Sequence, residues 1–323
     1  MDSIIQAILP YILLIGGFVL LIKGADFFVD GASSIAGKLK VPSLIIGLTV
    51  VSIGTSLPEA AVSLSASLSG TNEISLGNVI GSNLFNILVV VGISSAILPI
   101  ATDADILKRD MPINLAITAA FFLMLLDGTL SRVDAAILLL FLVVYMFMLI
   151  RTAMKQSVEE QPDQKVLSWT KSLIFVVGGA AAIILGGQLV VESAKKIAAT
   201  LGMSETLIGL TVVAIGTSLP ELVTSIVAAK KGDSGIAMGN VMGSCVFNIL
   251  FILGLTGVIT PMTASVAIFI DTGILIGVSI LMLLFAYSGK KTSRWEGITS
   301  TLLYVAYTAY IIMRAYDICG LGL

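Results

Sequence analysis

Apolar residues fill most of this chain in long blocks, separated by short polar or glycine-rich segments. A bilayer core of about 30 Å needs about 20 residues of helix, and at that length the blocks predict ten spanning helices. They fall at residues 4–22, 44–68, 74–98, 113–126, 133–150, 173–191, 207–229, 235–259, 266–287 and 298–313. The first continues past Lys23 and Asp26 as an amphipathic helix. Residues 151–171, with Glu159-Glu160-Gln161-Pro162-Asp163 inside, are the only stretch that reads as a linker, and it is too short for a regulatory domain.

Polar residues interrupt two of these blocks at matching places. Gly54-Thr55-Ser56-Leu57-Pro58-Glu59 in the second block returns letter for letter as Gly216-Thr217-Ser218-Leu219-Pro220-Glu221 in the seventh. Aligned without gaps, residues 46–92 and 208–254 are identical at 27 of 47 positions. Five predicted spans separate equivalent points. Because five is odd, the second half must thread the membrane in the opposite direction, the inverted-repeat plan of secondary transporters. The domains expected are therefore a first five-helix repeat over 1–150, a cytosolic linker over 151–171 and an inverted repeat over 172–323.

Charge fixes the orientation. With the N-terminus outside, thirteen lysines and arginines fall in the inner loops: Lys38, Lys40, Lys108, Arg109, Arg151, Lys155, Lys165, Lys171, Lys230, Lys231, Lys290, Lys291 and Arg294. Only Arg132, Lys195, Lys196 and Arg314 fall outside, with Lys23 within the first helix, which is the asymmetry that positive-inside sorting produces.

Composition agrees with the pattern. The chain is 57% apolar and 12% charged over 323 residues, against about a quarter charged in soluble proteins. It reads as an all-α, multi-pass protein of the cell membrane whose partner is the bilayer, with no nucleic acid and no obligate protein partner indicated. No basic segment precedes the first block, so that block is expected to be a retained helix and not a cleaved signal. There is no histidine, which removes a common transition-metal ligand. Cys245 and Cys319 lie in or beside apolar runs and read as packing residues.

The repeated motif carries the chemistry. A charge such as aspartate at a helix centre in lipid costs roughly 2.5–3.5 kcal/mol on insertion scales, so an intramembrane carboxylate is a functional hypothesis by default. Pro58 has no N–H for the carbonyl of Gly54, and Pro220 has none for that of Gly216. Ser52, Thr55, Ser56, Glu59 and Ser63 form one polar stripe at helical spacing, matched by Ala214, Thr217, Ser218, Glu221 and Ser225. The third and eighth spans add Gly77-Asn78-Val79-Ile80-Gly81-Ser82 with Asn86, and Gly239-Asn240-Val241-Met242-Gly243-Ser244 with Asn248. Ser82 and Asn86 share a face, as do Ser244 and Asn248. The four glycines are spaced for close helix packing. Asn78 and Asn240 read either as interhelical hydrogen-bonding groups or as part of the site. Asp103, Asp105, Asp110, Asp127 and Asp134 fall near span ends and are expected to be solvated.

Two carboxylates converging in hydrocarbon cannot both stay ionised without cations. Carboxylates, hydroxyls, freed carbonyls and amide oxygens suit Ca²⁺, which takes six to eight oxygens in flexible geometry, or Na⁺, better than Mg²⁺. A cation channel could use the same oxygens. An intramembrane enzyme is disfavoured, because there is no histidine and no Ser–Lys pair in mid-span.

The paired Gly-Thr-Ser-Leu-Pro-Glu and Gly-Asn-Val-x-Gly-Ser segments resemble the α-repeats of the calcium/cation antiporter superfamily, in its prokaryotic Na⁺/Ca²⁺ exchanger branch. The resemblance implies an antiporter that expels Ca²⁺ against about three Na⁺, with no bound cofactor. Glu59 and Glu221 would be the ligands shared by both ions. Thr55 and Thr217 would add carbonyl and hydroxyl oxygens, and Ser56, Ser82, Ser218 and Ser244 would line flanking Na⁺ sites. Ser52 and Ala214 stand where the family uses backbone carbonyls. The first and sixth helices would slide over a fixed core. Many relatives, K⁺-dependent exchangers among them, carry Asp where this chain has Asn248; here Asn stands at both 86 and 248. That departure counts against K⁺ co-transport and leaves the stoichiometry open. The Gly-Asn-Ala-x-Glu pattern of proton-coupled relatives is absent.

Overall fold

The computed structural model describes residues 2–155, 167–203, 212 and 214–316. In chain order the helices are α1 (Asp2–Leu39), α2 (Ser43–Thr55), α3 (Leu57–Leu68), α4 (Asn72–Ile97), α5 (Ile106–Asp127) and α6 (Arg132–Lys155). They continue as α7 (Trp169–Thr200), α8 (Ala214–Thr217), α9 (Leu219–Lys230), α10 (Ser234–Ile259), α11 (Val266–Gly289) and α12 (Arg294–Ala315). Seven of these, namely α1, α4, α5, α6, α7, α10 and α11, are each long and apolar enough to cross a membrane. The pair α2–α3 passes the same test jointly but bends by 48° at its break. The tenth predicted span corresponds to α12, of 22 residues. The first part of the seventh span, the centre of the 151–171 linker and Cys319 lie outside the described residues.

Burial locates the centre. In α4 and α10, 78% of the most apolar window is buried, against 22–39% in the other long helices. The outer helices turn large apolar side chains outward, among them Ile15 on α1, Val133 on α6, Leu173 on α7 and Leu302 on α12. Such surfaces are stable only against lipid, so the chain is an all-α integral membrane protein.

Glycine decides how closely the helices meet. On α1, Gly17, Gly24 and Gly31 recur every seven residues, and on α7 Gly179 and Gly186 do the same. A Cβ at Gly179 would stand 2.8 Å from the Gly24 carbonyl oxygen, and one at Gly186 the same distance from that of Gly17. The two helices run antiparallel with their backbones in contact. Closer to the centre, a Cβ at Gly239 would meet the Leu44 carbonyl at 2.7 Å, and one at Gly243 the Leu48 carbonyl at 2.7 Å. The packing expected of Gly239 and Gly243 is therefore observed, seating α10 against α2. Gly81 has no described neighbour within 4 Å of a Cβ, and Gly77 has only the tip of Ile268 at 3.8 Å.

Two short ladders tie the loops. Ile100–Ala101 (β1) pairs antiparallel with Lys291–Thr292 (β4), and Thr129–Leu130 (β2) pairs with Met262–Thr263 (β3). One expectation for the acids is corrected. Asp110 is 1% exposed and accepts both a 2.8 Å and a 3.0 Å bond from Arg109. The flanking charges suggested a solvated end, but the guanidinium folds back and supplies the partner that burial demands. Asp103 and Asp127 are exposed as expected.

Candidate ion site at the helix breaks

The chain breaks twice at the repeated motif. Ser56 adopts φ −86°, ψ 6°, and Ser218 adopts φ −93°, ψ 8°, so α2 ends before Ser56 and α8 before Ser218. Each proline thus lies in the first turn of a new helix, where its missing N–H costs that helix no bond. This corrects the single continuous stripe: Ser52 and Thr55 sit on one side of the bend and Glu59 and Ser63 on the other. The break also places Glu59 and Glu221 in the first turn of α3 and α9. There the positive end of the helix dipole favours a carboxylate.

Both glutamates are fully buried, and each is held by serines of both repeats. Glu59 Oε1 lies 3.0 Å from Ser218 Oγ and 3.5 Å from Ser82 Oγ. Glu221 Oε1 lies 2.8 Å from Ser56 Oγ and 3.4 Å from Ser244 Oγ. Ser218 Oγ also stands 3.1 Å from Ser82 Oγ. The exchange is reciprocal, with the serine of one motif serving the glutamate of the other. In both glutamates Oε2 is buried without a hydrogen-bonding partner among the described residues.

The remaining predicted residues divide into three groups. Thr55 donates to Oδ1 of Asn240 at 2.9 Å, and Thr217 is buried beside Ser218. Ser52 spends its hydroxyl on the carbonyls of Leu48, at 2.9 Å, and Thr49, at 3.2 Å, within its own helix. Its carbonyl accepts from Ser56 N at 3.0 Å and from Thr55 Oγ1 at 3.3 Å. Asn86 and Asn248 are buried and each opens a wide π-helical segment, Asn86–Val90 and Asn248–Leu253, a feature that gathers at functional sites.

Asn78 and Asn240 act as interhelical hydrogen-bonding groups. Asn78 Nδ2 donates to the Glu59 carbonyl at 3.2 Å and to Ser63 Oγ at 2.9 Å. Asn240 makes the same two bonds, to the Glu221 carbonyl and Ser225 Oγ, at the same distances. They fix the backbone of the glutamates from the neighbouring helix. Asn83, which sequence reasoning passed over, is also buried at the centre, and its Nδ2 donates to the Cys245 carbonyl at 3.1 Å. Its position one residue after Ser82 was the only signal that could have marked it.

Comparison with known proteins agrees with this geometry. The profile of the family described as sodium/calcium exchanger protein matches the chain twice, over residues 9–151 and 171–313. The chain is similar to the sodium/calcium exchanger MaX1 of Methanosarcina acetivorans, with 36% identity covering 92% of this chain and 97% of the relative. It is similar to the inner membrane protein YrbG of Escherichia coli, with 36% identity covering 93% and 95%. Among solved structures it resembles the sodium-calcium exchanger NCX_Mj soaked with 2.5 mM Na⁺ and 0.1 mM Ca²⁺, with a TM-score of 0.82, 36% identity and coverage of 94% and 98%. A family profile spanning both halves, joined to a buried pair of equivalent glutamates, leaves one assignment: this multi-pass membrane protein is a transporter belonging to the sodium/calcium exchanger family.

Proposed function

We propose that the protein is an antiporter that expels Ca²⁺ in exchange for Na⁺ by alternating access at the Glu59–Glu221 pair. Ten helices span the membrane as two inverted five-helix repeats, 1–150 and 172–323, joined by the cytosolic linker 151–171, with the N-terminus outside. The observation that carries this reading is the reciprocal bonding of Ser56 to Glu221 and Ser218 to Glu59, with one carboxylate oxygen of each glutamate left without a partner among the described residues. Those oxygens, with Thr55, Thr217, Ser82, Ser244, Asn86, Asn248 and the Ser52 carbonyl, form the oxygen-rich donor set that Ca²⁺ and Na⁺ accept.

Coupling follows from charge. An empty site holds two carboxylates and resists transfer across the low-dielectric interior. One Ca²⁺ neutralises the pair, whereas three Na⁺ leave it at plus one. Both ions need the same glutamates, so they compete, and only an occupied site changes sides.

The loop contacts support the span count. β1 with β4, β2 with β3, Asn72 with the Pro261 carbonyl, Lys231 with Asp30, and Ser34 with Ser172 each join segments that ten spans put on one side. The thirteen-to-four distribution of lysine and arginine supports the N-out orientation.

Ca²⁺ flux from proteoliposomes, with and without opposing Na⁺, tests the reading. Antiport requires that Ca²⁺ leave only when Na⁺ is supplied outside. Efflux driven by a pH gradient without Na⁺ would replace it with Ca²⁺/H⁺ exchange, a K⁺ requirement with K⁺-dependent exchange, and passive current without a counter-ion with a channel.

A further inference from the structure

The two repeats agree at every polar position of the candidate site except two. Ser52 is replaced by Ala214, and Asn83 by Cys245. The first difference is inert at the site, because the Ser52 hydroxyl bonds within its own helix. The second changes the hydrogen bonding around the two asparagines.

Asn83 Nδ2 donates to the carbonyl of Cys245 at 3.1 Å. With its amide nitrogen so committed, Asn83 turns its Oδ1 to Asn248, whose Nδ2 donates to it at 3.0 Å. That bond settles the orientation of the Asn248 carboxamide. Its Oδ1 is then left buried, with no donor among the described residues. The equivalent arrangement for Asn86 would need a carboxamide at position 245. Cys245 is a free, buried thiol whose Sγ stands 4.0 Å from the Asn83 carbonyl, on the side where an asparagine would place its Nδ2. A thiol offers only a weak acceptor in place of an amide oxygen, and the sulfur of Cys245 is shared between Asn86 and Asn114. Asn86 is left with that weak contact alone, and neither its Oδ1 nor its Nδ2 meets a well-formed hydrogen-bonding partner among the described residues.

We propose that Asn83 is a positioning residue that presents Asn248 Oδ1 as a pre-oriented cation ligand, and that the thiol of Cys245 gives Asn86 only weaker support. The inference rests on the exchanger reading above. Asn86 and Asn248 are then unequal ligands although they are identical residues at equivalent places. An oriented carboxamide loses little freedom when it binds a cation, whereas Asn86 must first be ordered with its oxygen inward.

The test uses the full-length protein in proteoliposomes, with Ca²⁺ itself as the probe. In the native chain, Asn248→Ala raises the half-saturating Ca²⁺ concentration about tenfold more than Asn86→Ala does, about the worth of one oriented hydrogen bond. Asn83→Ala raises it about tenfold while leaving the maximal rate within about twofold. The swap Asn83→Cys with Cys245→Asn returns it to near the native value and reverses the order, so that Asn86→Ala becomes the costlier change. A merely structural role for Asn83 would be rescued by the swap without that reversal. Equal losses at 86 and 248 in the native chain, or an unreversed order in the swap, would overturn the proposal. Glu59→Gln serves as the separate control: retained exchange there would remove the reading on which the proposal rests, whatever the asparagines do.

Discussion

Ser56 Oγ lies 2.8 Å from Oε1 of Glu221, a residue 165 positions further along the chain. The bond joins the break of one motif to the carboxylate of the other, so neither repeat contains a complete site. A hydrogen bond to a charged group contributes about 1.5–3 kcal/mol. Ser56→Ala should therefore raise the half-saturating Ca²⁺ concentration by roughly 10- to 100-fold, and Ser218→Ala should act alike through Glu59. An unchanged half-saturating Ca²⁺ concentration in both serine variants would show that these bonds have no part in binding.

The glutamates themselves give the largest effect. Glu59→Gln or Glu221→Gln should abolish Ca²⁺ transport while the purified protein remains monodisperse on size exclusion. The amide keeps the shape of the side chain and removes the charge that Ca²⁺ needs. Near-normal exchange in either variant would displace the proposed centre.

Transport should move charge. The Glu59–Glu221 pair is neutral with Ca²⁺ and plus one with three Na⁺, so an imposed membrane potential should change Na⁺-driven Ca²⁺ efflux. Potassium should have no effect. Potential-independent exchange would overturn the three-for-one stoichiometry and leave Na⁺ coupling in place.

Topology is open to direct labelling. Thr263 and Lys291 are exposed and fall on opposite sides in the ten-span arrangement. In a Cys319→Ser background, a cysteine at 263 should react with an impermeant maleimide from outside intact cells, and one at 291 only after permeabilisation. The reverse pattern would invert the molecule.

The Arg109–Asp110 pair should matter for stability more than for transport. Removing the partner of a buried charge costs about 3–5 kcal/mol, so Arg109→Ala, which strands the buried Asp110 carboxylate, should lower the unfolding midpoint in detergent markedly. An unchanged midpoint would mean that the Arg109 pairing is not structural.

Much of this architecture could be read from the residues. The apolar blocks placed α4, α6, α10 and α11 within a few positions, because their ends coincide with the ends of hydrophobicity. The continuation of the first helix past Lys23 and Asp26 was legible, and α1 runs on to Leu39, with Lys231 from another loop pairing with Asp30 at 2.6 Å. α7 was read too short, since it runs on to Thr200 through Glu192, Lys195 and Lys196. The motif identified Glu59, Glu221 and the four serines as one group, but it could not say that each serine at a break serves the opposite repeat. Sequence spacing describes contacts along a helix, whereas those bonds arise only when α3 and α9 meet. Asp110 was misjudged for the same reason, since its environment depends on how Arg109 folds back.

The seam between α1 and α7 has a mechanical consequence. With Gly17 against Gly186 and Gly24 against Gly179, two backbones touch with almost no side chain between them to deform. Shear along such a seam would drive carbonyl oxygens into neighbouring Cα atoms, so α1 and α7 behave as one stiff strut. Any displacement of α1 over the buried centre carries α7 with it. Because the strut joins one helix from each half, a push delivered at one end of the molecule reaches both motifs in the same stroke.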